Sequence, residues 1–203
     1  MHFAEQIAAN PLYRGKGTYQ WNKLAAALEV CGERRGHAVD VGAHVGLWSR
    51  VLSYEFKKVT AFEPIPAFID CFRHNLNFRS VKLHRVALGD FSGIASFSTA
   101  PSGEGTANID VNGDFEVEIH RLDEMGLAPI DFIKIDAEGY EHEILAGGET
   151  TIRRDKPVIT IEQKKKRLAR YGFAPEAGVN LLRSWGAEVA WEDHGDWCLT
   201  FPA

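Results

Sequence analysis

Val39-Asp40-Val41-Gly42-Ala43-His44-Val45-Gly46 is the stretch on which the fold turns. A short apolar run passes directly into a glycine pair. Beyond it Leu47, Trp48, Val51, Leu52 and Phe56 recur at helical spacing. A strand that turns into a helix through glycines is the unit of an open parallel α/β sheet, and ligands bind such sheets beside the carboxyl ends of the strands. Gly42 permits a tight turn and close backbone approach. Gly46 lets the helix start near a ligand, and Asp40 sets a carboxylate at the strand end. His44 either reaches a cofactor carboxyl group or caps the following helix. The spacing is G-x-x-x-G rather than G-x-G-x-x-G, so a pyrophosphate cradle lacks one glycine.

Outward from this loop the same alternation of strand and helix continues. Residues 17–31 read as a leading helix with Trp21, Leu24, Ala25 and Leu28 on one face, and His37–Val41 is the first strand. Lys58–Phe62 is the second strand, ended by Glu63-Pro64. Pro66 opens the next helix, where its missing N–H costs little, and Phe68, Ile69, Phe72 and Leu76 form its stripe. Val81–Leu88 holds the third strand. Gly93–Thr99 and Asp114–His120 alternate as strands around a Gly-, Ser- and Asn-rich stretch, which predicts an inserted hairpin over about 92–122. Regular alternation resumes with Asp131–Asp136, a short helix from Tyr140, Pro157–Glu162 and a helix over about Pro175–Trp185. Ala187–Glu192 and Trp197–Phe201 flank His194-Gly195, a hairpin signal, so the last strand should run antiparallel to its neighbour. The expected fold is α/β: a doubly wound, mostly parallel sheet of seven strands, the last reversed, with helices on both faces. One domain over 1–203 is expected, with an N-terminal helical region (1–36), a cofactor-binding core (37–163) and a C-terminal helix and strand hairpin (164–203).

Composition narrows the function classes. The 203 residues are 45% hydrophobic and 25% charged, ordinary for a globular protein, with a formal net charge of −5. That acidic balance disfavours a nucleic-acid partner. Cys31, Cys71 and Cys198 are far apart and odd in number, which argues for a reducing compartment and against a disulfide framework or a structural zinc site. MHFAEQIAANPLYRG has no basic stretch leading into an apolar core, and no apolar run is long enough to span a bilayer. A cytoplasmic protein without a membrane partner is the expectation.

Glu63 ends the second strand about 20 residues past the glycine loop, where an acidic residue accepts hydrogen bonds from ribose hydroxyls. Loop and carboxylate together point to an adenosine-type cofactor. S-adenosylmethionine suits them, since its tail carries an ammonium and no phosphates. Ala87 and Leu88 could flank an adenine ring with Asp90 near its amino group, or form a plain turn. In the second half, Ile133-Lys134-Ile135-Asp136-Ala137-Glu138-Gly139-Tyr140-Glu141 brings Asp136 and Glu138 to the sheet edge that holds Asp40. Carboxylates there orient a reacting centre, hold a metal or act as a base; the alternative is capping the next helix. His142 is a candidate base because imidazole titrates near neutral pH, or a surface residue. Glu162 ends the fifth strand and opens into the same cleft. Thr106 and Asn108 could close over an acceptor. Lys164–Arg170 is a basic run, and most such runs are solvated helix faces.

These pieces resemble the FkbM-type methyltransferases. The matching segments are VDVGAHVGLWS (39–49), TAFEPIPAFIDCFRHN (60–75), HRLDEM (120–125), DFIKIDAEGYEHEIL (131–145) and KPVITIE (156–162), in the family's order. The resemblance implies methyl transfer from S-adenosylmethionine, usually to a hydroxyl oxygen of a sugar or other small molecule. The expected cofactor-binding residues are Asp40, Gly42, His44, Gly46, Glu63, Ala87, Leu88 and Asp136. The expected catalytic residues are Asp136, Glu138 and His142, with no resident metal. His44 stands where such loops often carry Asn, and the chain after 163 departs from the pattern. A nicotinamide-dependent oxidoreductase would need a third glycine and a Tyr/Lys relay; a non-catalytic cofactor-binding module would differ only in turnover.

Overall fold

A computed structural model describes residues 19–76, 81–99, 107–109 and 113–202. Its central sheet has seven strands in the order β10-β11-β9-β8-β1-β2-β3. These are β1 (His37–Val41), β2 (Lys58–Phe62), β3 (Val81–His84), β8 (Phe132–Ile135), β9 (Val158–Glu162), β10 (Glu188–Asp193) and β11 (Asp196–Thr200). β1 pairs in parallel with β2 and β8, and β2–β3 and β8–β9 are also parallel. β11 runs antiparallel to both β9 and β10. The reversed last strand expected from His194-Gly195 is therefore present. The two turn residues have φ of 52° and 82°, the left-handed pair that a two-residue hairpin requires.

Helices cover both faces, and the strand alternation decides which side chain meets which layer. On one face Ala38, Val59, Ala61, Phe132 and Val158 pack with Leu24 and Leu28 of α1 (Trp21–Cys31), Trp48 and Leu52 of α2 (Leu47–Glu55) and Phe72 of α3 (Pro66–Asn75). On the other, Val39, Val41, Ile133, Ile135 and Ile159 pack with Ile144 and Leu145 of α4 (Glu141–Ala146), Ile152 of α5 (Glu149–Asp155) and Leu182 of α7 (Ala177–Ser184). α5 was not expected from the sequence. The basic run forms α6 (Lys165–Arg170), whose Leu168 is fully buried, so it is not a uniformly solvated face.

Two expectations for the middle of the chain change. β3 ends at His84, and Ala87–Leu88 form a separate strand, β4. The expected hairpin exists as the antiparallel pair β5 (Gly93–Thr99) and β7 (Phe115–His120). It belongs to a second sheet of four strands, β4-β7-β5-β6, with β6 at Ala107–Ile109. The reason is apolar: Ala87, Ala95, Phe97, Val117 and Ile119 bury one another and Ile65, a core of their own. Thr106 lies outside the described residues, and Asn108 is placed by its backbone alone, in β6. Among the described residues no helix is long and apolar enough to cross a membrane.

Candidate active site

The carboxyl ends of the parallel strands open onto a cavity of about 380 Å³, within the size range of small-molecule sites. The second sheet closes one side through Phe97 and Ile109, and α6 reaches the other with Arg167.

The glycine loop is built by backbone. Gly42 has φ 70°, and a Cβ there would lie 1.9 Å from the Asp136 carbonyl oxygen, so any side chain would force β1 and β8 apart. The Gly42 and Ala43 N–H groups donate to the Phe62 carbonyl at 3.1 and 3.0 Å. Next to them the His44 N–H donates to Glu63 Oε2 at 2.8 Å and the Ile65 N–H to Oε1 at 2.9 Å. These bonds hold the Glu63 carboxylate rigidly while leaving each oxygen further acceptor capacity. Burial raises Glu63 to about 7, against the two backbone donors. Ala87, Leu88, Val86, Ile65 and Phe68 line the wall beside it, and the His44 ring packs 4.2 Å from that of Phe68. An acidic strand end with spare acceptor sites beside an apolar slot fits an adenosine moiety.

Two residues expected at the cofactor stand elsewhere. A Cβ on Gly46 would meet Leu76 at 2.3 Å and Phe72 at 2.9 Å, so this glycine seats the start of α2 against α3 rather than a ligand. Asp40 is fully buried and does not line the cavity. Strand parity turns it to the face covered by α1, α2 and α3, with Ala38, where Ser49 Oγ donates to it at 2.6 Å and Lys134 Nζ approaches to 3.3 Å.

Lys134, opposite Asp40 in register, was missed as a site residue. Its ammonium donates to the Gly42 carbonyl at 2.7 Å and lies 3.9 Å from Asp136, tying the loop to the end of β8. Burial alone would lower its pKa, but Asp40 and Asp136 outweigh that and raise it. A signal existed: a lysine between two isoleucines on a buried strand needs a carboxylate partner, and V-D-V is the facing strand.

Asp136 and Glu138 line the cavity as expected. Glu162 joins them, buried at the end of β9. Arg167 bridges all three. Its Nε contacts Glu138 at 2.8 Å, and its Nη1 lies 3.9 Å from Asp136 and in direct contact with Glu162. A Cβ on Gly139 would fall 2.5 Å from the Arg167 carbonyl oxygen, so only glycine lets α6 dock on this loop. Glu141, 1% exposed, braces the loop from below, its Oε1 accepting the Ala137 and Gly139 N–H groups at 2.9 Å each. His142 is not brought to the cavity. Its ring packs 4.4 Å from Phe173 and its Nδ1 lies 3.9 Å from Glu143.

A family model described as the methyltransferase FkbM domain matches residues 40–198. The 2-O-methyltransferase NoeI of Sinorhizobium fredii is 28% identical over 149 residues, covering 61% of this chain and 60% of that protein. Among solved structures, the methyltransferase FkbM from Methylobacillus flagellatus superposes with a TM-score of 0.58 at 18% identity, covering 98% of this chain and 52% of that one. The N-methyltransferase NodS from Bradyrhizobium japonicum, in complex with S-adenosyl-L-homocysteine, superposes at 0.53 with 11% identity, covering 96% and 88%. The chain thus spans 60% of NoeI and about half of the Methylobacillus protein. The two superpositions establish the class I methyltransferase sheet. With the family match over most of its length, the chain belongs to the S-adenosylmethionine-dependent methyltransferases of the FkbM family.

Proposed function

We propose that this chain transfers a methyl group to a hydroxyl oxygen of a sugar or another small hydroxylated molecule. The observation that carries the reading is the convergence of Asp136, Glu138 and Glu162 on the cavity wall beside the glycine loop. Carboxylates accept hydrogen bonds from hydroxyl donors and so orient an oxygen lone pair. Tyr140, Phe97 and Tyr19, which line the same cavity, give an acceptor ring apolar surface.

S-adenosylmethionine supplies the methyl group on a sulfonium, an electrophile that departs as a neutral thioether. Glu63 is suited to the ribose hydroxyls, Ala87 and Leu88 to the adenine faces, and Gly42, His44 and Asp136 to the methionine tail. Lys134, anchored on Asp40, holds the Gly42 carbonyl and the β8 end in fixed relation. Asp136 and Glu138 present the acceptor. Placement of this kind supplies roughly 7–11 kcal/mol in well-oriented intramolecular reactions. His142 has no part, since it packs outside the cavity. The name of NoeI, a 2-O-methyltransferase, agrees with an oxygen acceptor.

The test is a screen with labelled S-adenosylmethionine across glycans, small hydroxylated metabolites and nucleic acids. Label in an O-methyl group of a glycan or small molecule is expected. Label only on nitrogen, or only in nucleic acid, would overturn the reading. Tight binding of S-adenosylhomocysteine without turnover on any acceptor would leave a cofactor-binding module.

A further inference from the structure

We propose that Glu162 takes the proton of the acceptor hydroxyl and that Arg167 is the positioning residue that holds it for this task. The inference rests on the O-methylation reading above. It begins from the cavity wall beside the glycine loop, where three carboxylates meet one guanidinium. The carboxylates are not equivalent. Glu138 receives the Arg167 Nε at 2.8 Å on a left-handed loop residue with φ 58°. Asp136 stands between Lys134 and Arg167, 3.9 Å from each, at the methionine end of the cavity. Glu162 is the most buried of the three, at 7% exposure, and it ends a central strand rather than a loop. The next residue fixes that strand end, because the buried Gln163 amide donates to the Glu162 carbonyl at 2.8 Å and accepts the Gly178 N–H at 2.8 Å. A base on a rigid strand keeps its geometry through turnover.

A proton acceptor works best when its pKa lies near the working pH. Burial first, and Asp136 second, push Glu162 well above the usual carboxylate range, while Arg167 pulls it back. The charged groups facing it are Asp136 from the end of β8, Arg167 from α6, Lys164 from the lead into α6 at 3.9 Å, and Asp196 from β11, itself paired with Lys23 of α1. Arg167 makes direct contact, so it exerts the strongest control of the cations. In the step, a lone pair of the hydroxyl oxygen forms the new O–C bond and the S–C pair stays on sulfur. The O–H pair stays on oxygen as its proton passes to Glu162, which releases it to water.

Two measurements test this. The first needs no acceptor: the side-chain carboxyl carbons of ¹³C-glutamate-labelled protein are titrated by NMR, with the Glu162 resonance identified by its loss in Glu162→Gln. It should titrate above the normal glutamate range, and higher still in Arg167→Gln, with partial return in Arg167→Lys. The second is the pH dependence of kcat on an O-methyl acceptor. Glu162→Gln should lose about 10²–10⁴-fold, and Arg167→Gln should move the acidic limb to higher pH, while S-adenosylhomocysteine affinity in each stays within about threefold as a check on folding. Glu162→Gln with near-normal kcat overturns the base. Arg167→Gln that lowers kcat equally at every pH, with an unmoved Glu162 titration, overturns the positioning role. A wild-type protein that methylates no hydroxyl sinks the O-methylation reading and the base together, and the NMR titration then still decides whether Arg167 governs Glu162.

Discussion

The two walls of the cavity are made in different ways. The wall proposed for the cofactor is backbone: Gly42 and Ala43 hang on the Phe62 carbonyl, and Glu63 is clamped by the His44 and Ile65 amides, all within a span of 24 residues. The wall proposed for the acceptor is side chain: Arg167 of α6 gathers Asp136 and Glu138 from the end of β8 and Glu162 from the end of β9. Backbone geometry tolerates little substitution, and ion pairs between long side chains re-form readily. The cofactor wall should therefore fail by collapse and the acceptor wall by misplacement.

The largest effect is expected at Gly42. Valine there places a branched Cβ 1.9 Å from the Asp136 carbonyl and demands a left-handed φ that β-branched residues resist. Gly42→Val should abolish measurable S-adenosylhomocysteine binding and lower the melting temperature, by calorimetry and circular dichroism. Normal binding would remove the loop from the site. Next comes Asp136→Asn on the acceptor wall. Turnover should fall by about 10²-fold or more, with cofactor affinity falling less than in Glu63→Ala, because Lys134 still holds the Gly42 carbonyl. A variant with intact turnover would reduce Asp136 to a loop constituent.

Glu63→Ala sharpens the comparison from the cofactor side. Removing a charged acceptor costs roughly 1.5–3 kcal/mol, about 10–150-fold in affinity. Turnover at saturating cofactor should hardly change. A fall in turnover with unchanged affinity would reverse the assignment of the two walls.

The contrast also explains what the sequence could show. The alternation of strands and helices, the reversed last strand and the glycine loop were legible because each is local: apolar alternation, a glycine pair after a strand, His-Gly at a hairpin. Glu63 was legible because a strand end sits at a predictable distance from the loop. Asp40 was misplaced for a parity reason: counting along V-D-V puts it at the strand end, but the pleat turns it toward Ser49 and α2. Nothing local in Val81–Leu88 marks a change of sheet; the separation of Ala87 and Leu88 from β3 follows from the small core around Ile119. Arg167 was illegible for a stronger reason. In KKKRLAR five of the seven residues are cationic, and nothing in the run says which one faces three carboxylates. Only the close approach of Gly139 to the α6 backbone selects it.

The smallest effect, and the one that separates bracing from chemistry, concerns Glu141. It lines no cavity, yet its carboxylate accepts the two amides that shape the Asp136–Gly139 loop. Burial raises it to about 7 from an ordinary value of 4.5. A carboxyl whose folded pKa lies above its unfolded one favours the folded state most when protonated. That stabilisation is complete below about 4.5 and is lost as pH climbs through about 7. Glu63, also raised to about 7, pulls in the same direction. The melting temperature of the cofactor-free protein should therefore fall between pH 5 and pH 8 in part through these two groups. Glu141→Gln keeps an oxygen that can accept both amides and removes the charge, so part of that fall should disappear and the variant should melt a few degrees higher at pH 8. Scanning calorimetry at the two pH values reads the difference. If Glu141→Gln melts lower at both, the amide N–H groups buried where Oε2 has no hydrogen-bond partner cost more than the charge they replace, and the brace under the Asp136–Gly139 loop requires a carboxyl group.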